Sequence, residues 1–176
     1  MPKLISVRDP QDTLTQAQEY VKNYILLPSG MLGLVCLLGA VGGLGYQLLA
    51  ADSYTWDTFY QSSGLFLSGI GLGAAQTLYH RYLLREFPDV LAARMKQGLN
   101  RRKGNIKKTI DVPDIQHSGR QLIPIAYLLG IIILVGSAIA AFSYGRVDMV
   151  PALLMPWAGF YWAKMFLWRR VINVAK

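Results

Sequence analysis

The chain has 176 residues, 53% hydrophobic and 16% charged, with 18 Lys and Arg against 10 Asp and Glu and a formal net charge of +8. The charged fraction is well below the roughly 25% of soluble domains, and the apolar residues gather in four blocks. That pattern excludes an ordinary soluble enzyme, a disordered chain and a disulfide-stapled scaffold, and the single cysteine, Cys36, fits a small packing residue.

Segment 1–23 is expected to hold an amphipathic helix. Thr13 and Gln16 have capping-box spacing, and Leu14, Ala17, Val21 and Ile25 share a face opposite Gln16, Glu19 and Lys22. Such a helix is expected to lie along the membrane interface, as an anchor or a partner contact, until Pro28 starts or bends the next helix. Four apolar blocks follow, at 24–50, 58–84, 122–144 and 149–168. A helix rising 1.5 Å per residue needs about 20 apolar residues to cross ~30 Å of hydrocarbon, so each block is long enough. The first is too long for the core of a cleaved signal and is expected to be retained. The runs are continuous rather than alternating, which excludes a β-barrel. The expected fold is a single all-α integral membrane domain, with four transmembrane helices in two hairpins. Within the fourth, Pro156 is expected to kink the helix and Lys164 to snorkel to the nearer interface.

Orientation follows from the connecting segments. The turns at 51–57 and 145–148 hold only Arg146 among basic residues. The segments 1–23, 85–121 and 169–176 hold 15 of the others, and with Arg81 at the adjoining end of the second span and Lys164 snorkelling the count on that side is 17 of 18. The rule that basic residues stay inside places both termini and the long loop in the cytoplasm. The inner side then carries a net charge of +10 and the outer side −2, which accounts for the +8 without invoking nucleic acid. Tyr46, Tyr54, Trp56, Phe59 and Tyr60 fit an outer aromatic belt, and Trp162, Phe166 and Trp168 an inner one. The location implied is an inner, plasma or intracytoplasmic membrane.

Loop 85–121 is expected to contain a surface helix at 88–99, with Val90, Leu91, Met95 and Leu99 on one side. Its basic residues Arg94, Lys96, Arg101, Arg102, Lys103, Lys107 and Lys108 are expected to meet anionic lipid headgroups, at about 1 kcal/mol per charge. No aromatic residue is interleaved with them, so no nucleic-acid partner is expected.

Polar and small residues mark helix contacts. Gly39 with Gly43, and Gly69 with Gly73, form two GxxxG pairs that let another backbone approach closely. The first two spans are expected to pack there, against each other or against another chain. Ser62, Gly69, Gly73, Gln76 and His80 share a stripe, where Gln76 and His80 are expected to form interhelical hydrogen bonds. A ligand role for His80, toward haem or a chlorophyll-type pigment, is the sharper alternative. The only other histidine, His117, lies with it at the membrane boundary, which disfavours a buried bis-histidine haem. No carboxylate lies centrally in a span and no catalytic or metal-binding motif is present. No catalytic residue, metal or required cofactor is therefore assigned; lipids are the expected ligands. The expected function is a non-catalytic structural or accessory subunit of a larger membrane complex, respiratory, photosynthetic or similar, with other membrane subunits as partners. A small transporter or channel is the first alternative and a haem- or chlorophyll-binding subunit the second.

Overall fold

The computed structural model describes residues 10–88, 90–93 and 122–173. The basic residues from Arg94 to Lys108, Met95, Leu99 and His117 lie outside them, as does the side chain of Leu14. Among the described residues all regular structure is helical: α1 (Pro10–Tyr20), a π-helical segment (Val21–Leu26), α2 (Leu27–Leu49), α3 (Trp56–Glu86), α4 (Leu122–Ser143) and α5 (Met149–Asn173). Two stretches, Thr15–Leu49 and α4, are long and apolar enough to cross a membrane.

At Pro28, expected to start or bend the next helix, α2 begins without a gap in the helical chain. The chain is helical without interruption from Pro10 to Leu49. Pro28 lies in the first turn of α2, where its missing N–H would otherwise have bonded one turn back. The widened turn at Val21–Leu26, in which the Leu27 N–H reaches the Lys22 carbonyl, shifts the hydrogen-bond register just ahead of the proline. The apolar face of α1 packs on protein. Ala17 and Val21 are fully buried in a cluster with Leu84, Leu91 and Trp168, and Tyr20, Ile25 and Leu26 pack against it. The short helical stretch at 90–93 contributes more than the predicted stripe, because Ala92 and Ala93 are buried beside Val90 and Leu91.

Helix α5 is the hub. It packs along both α2 and α3, which make little contact with each other, and α4 adds a lighter contact on α5 and α3. Neighbouring residues along the seams show that α2 runs antiparallel to α5, since Gly43 faces Pro151 and Gly33 faces Tyr161. Helix α3 runs parallel to α5, with Thr58 beside Arg146 at one end and Leu84 clustered with Trp168 at the other. A second apolar cluster of Leu65, Ala141, Val147 and Ala152 closes the Thr58 end. Loop chemistry reinforces that end. Thr55 and Thr58 form a reciprocal capping box at the start of α3, and the Thr58 hydroxyl donates to the Arg146 carbonyl at 2.7 Å. Such a cap contributes about 1 kcal/mol. The exposed Asp57–Arg146 pair at 3.7 Å adds little beside it. Gly145, at φ +68°, makes the turn from α4 into α5.

Two aromatic and cationic expectations change. Trp168 is completely buried in the cluster with Ala17, Val21, Leu84 and Leu91, so it plugs the core rather than joining an interfacial belt. Trp162 and Phe166 remain exposed and pair at 4.7 Å between ring centroids. Lys164 does not extend toward the Trp168 end. Its ammonium lies 5.1 Å from the centre of the Phe160 ring, one turn toward the start of α5, the direction in which helical side chains lean.

Candidate functional site

The glycine pairs face α5, not each other. A Cβ added to Gly69 would overlap the Pro156 carbonyl, and one on Gly73 the Phe160 carbonyl. From the other side, a Cβ on Gly159 would overlap the Phe66 carbonyl. Helices α3 and α5 are thus in backbone contact, which only residues lacking a side chain permit. On α2 the contacts are with side chains. A Cβ on Gly43 would meet the Pro151 ring at 2.8 Å, and one on Gly39 the Leu154 Cδ1 at 2.6 Å. The four glycines singled out in the sequence therefore face inward, and the neighbour of both GxxxG pairs is the last helix of the same chain.

Further along the α3 stripe, the seam opens into a cleft of about 440 Å³ between α3, α4 and α5. Ala75, Gln76 and Tyr79 come from α3, Ala126, Tyr127 and Gly130 from α4, and Trp157 and Phe160 from α5. The cleft exists because α4 touches the bundle through few side chains. Leu134, Ala138 and Ala141 are its buried residues, all in the second half of the helix, so its first half stands off from α3. The walls are apolar and aromatic, and no charged side chain lines them.

Polar groups converge at one edge. The Gln76 side-chain carbonyl is shut off from solvent and has no hydrogen-bond partner among the described residues. One turn on, His80 Nε2 lies 3.3 Å from the Tyr127 hydroxyl, joining α3 to α4. Metal coordination at that nitrogen would require Tyr127 to move away. Elsewhere on α3 the buried hydroxyls are satisfied locally, Thr77 donating to the Gly73 carbonyl at 2.7 Å and Ser62 to the Phe59 carbonyl at 3.1 Å. Among the described residues, no three His, Cys, Asp or Glu side chains gather as a metal site.

The stripe of Ser62, Gly69, Gly73, Gln76 and His80 is thus one face in the structure, divided between two neighbours. Its glycines meet α5, and Gln76 and His80 meet the cleft and α4. Sequence reasoning missed Gly159, Tyr79, Tyr127 and Phe160. Tyr127 had a usable signal: it falls within the first two turns of α4, at the same expected membrane edge as His80. No family model, no curated protein and no solved structure matches the chain.

Proposed function

We propose that this chain is a non-catalytic structural or accessory subunit of a larger membrane protein complex, crossing the bilayer four times with both termini in the cytoplasm. One observation carries the reading. After the inward glycines have been used, a second set stays open: Cβ atoms added to Gly42, Gly45, Gly64, Gly71 and Gly136 would meet nothing within 4 Å. Glycine costs an exposed helix about 1 kcal/mol relative to alanine. Glycines on the outer faces of apolar helices are accounted for if another helix packs there, because close backbone approach drives association where lipid competes equally for apolar surface.

Mild detergent solubilisation followed by size-exclusion chromatography and identification of co-eluting proteins tests the reading. The expected result is a stable assembly with other membrane proteins; a lone monomer overturns it. The four-span arrangement is tested separately in intact cells with Ser53→Cys and Lys103→Cys on a Cys36→Ala background. A membrane-impermeant maleimide is expected to label the first and spare the second, and equal labelling of both contradicts the topology.

A further inference from the structure

We propose that the cleft between α3, α4 and α5 binds a neutral, ring-bearing membrane lipophile with a carbonyl or hydroxyl group, of the quinone class, whose polar edge pairs with Gln76. The inference goes beyond the subunit reading and rests on α4 lying in the bilayer. Three features select the ligand class. First, the cleft holds about 440 Å³, within the range of roughly 300–1,000 Å³ typical of small-molecule sites. Second, no charged side chain lines it, so an anionic headgroup would enter without a counter-charge, at a heavy desolvation cost. Third, aromatic rings of Tyr79, Tyr127, Trp157 and Phe160 come from all three helices, and flat ligands stack on such walls.

The Gln76 amide separates a ring lipophile from a plain acyl chain. Its side chain lines the cleft and its carbonyl has no hydrogen-bond partner among the described residues, so a ligand carbonyl or hydroxyl gives the amide a partner that an acyl chain cannot. A primary amide offers both a donor and an acceptor, so it can serve a ring carbonyl or a ring hydroxyl, the oxidised and reduced forms of one ligand class. The cleft is open on one side, which gives a route for a tail to leave the bundle.

Trp157 supplies the reporter. With the isolated chain in phosphatidylcholine nanodiscs, titration with decylubiquinone is expected to quench tryptophan fluorescence saturably. The saturable component should vanish in Trp157→Phe. Gln76→Leu should raise the half-saturation concentration at least ten-fold, and Ala126→Trp, which fills the cleft, should abolish saturation, both with an unchanged unfolding midpoint. Linear quenching that is equal in wild type and Gln76→Leu would mean simple partitioning and would overturn the proposal. So would a saturable signal that survives in Trp157→Phe, since the site would then lie elsewhere. Saturable quenching by doxyl-labelled phosphatidylcholine that decylubiquinone does not displace would assign the cleft to an acyl chain. None of these outcomes bears on co-purification with partner subunits, so the two readings fail independently.

Discussion

Replacing Gly69 and Gly73 together with leucine is expected to destroy the bundle, whereas replacing Gly64 and Gly71 together with leucine should leave the bundle intact and detach it from its partners. The four residues lie on one helix and the chemical change is the same, so composition and hydrophobicity are matched. What differs is the neighbour. At Gly69 and Gly73 the added carbon would overlap carbonyl groups of Pro156 and Phe160, and backbone cannot step aside as a flexible side chain can. Overpacking costs about 1–3 kcal/mol per site when side chains absorb it, and a backbone seam belongs at or above the upper end. Two such sites spend a large part of a typical stability of about 5–15 kcal/mol. At Gly64 and Gly71 an added Cβ meets no described atom within 4 Å, so leucine enters open space there and gains up to about 1 kcal/mol of helix propensity. Denaturant unfolding in detergent micelles measures the first pair, and the elution volume of the mildly solubilised assembly measures the second. If the Gly64/Gly71 variant elutes with its full complement of partners, those glycines face lipid and the subunit reading loses its carrying observation.

The same pair of faces shows how far the sequence could be taken. Helical spacing alone puts Gly69 with Gly73, and Gly64 with Gly71, on two different sides of α3. Periodicity sorts residues into faces, but it does not say which face meets protein, which meets lipid, or which helix is the neighbour. That information sits in long-range geometry, in the parallel run of α3 along α5 and in Gly159 opposite Phe66. Helix positions were more legible because a long apolar run needs no tertiary information. The predicted 122–144 and 58–84 differ from α4 and α3 by no more than two residues at any end. The misjudged features are those where a local rule met a packing demand. Trp168 sits beside Arg169 like an interfacial ring, but α1 closes over it. The cleft was only half legible: Gln76 and His80 announce themselves as polar residues in an apolar helix and Tyr127 shares the expected edge with His80, while Trp157 and Phe160 carry no signal until α5 is placed beside α3.

Trp168→Ala is expected to be the most damaging single truncation at the α1 end of the bundle, and its effect should be greatest in α1. The ring is fully buried and holds together Ala17 and Val21 at the start of the chain, Leu84 at the end of α3, and Leu91 beyond it. Truncating a buried tryptophan to alanine costs about 3–5 kcal/mol. That loss will not be shared evenly. Helices α2, α3 and α5 keep their glycine seams and the Leu65–Ala152 cluster at the far end, whereas the buried residues of α1 and its π-helical extension, Ala17 and Val21, both belong to the cluster around Trp168. Amide exchange followed by mass spectrometry should therefore show loss of protection across Pro10–Leu26 before the rest of the bundle opens. Trp168→Phe is the informative companion. The indole N–H is buried without a partner among the described residues, and leaving such a donor unpaired costs about 1–3 kcal/mol. Phenylalanine removes that donor while keeping most of the ring, so its cost is expected to be at most about 1 kcal/mol, well under that of alanine. A Trp168→Phe variant as unstable as Trp168→Ala would show that the indole N–H has a structural partner. Uniform loss of protection in Trp168→Ala, with no preference for α1, would show that the first helix is held by something other than this ring.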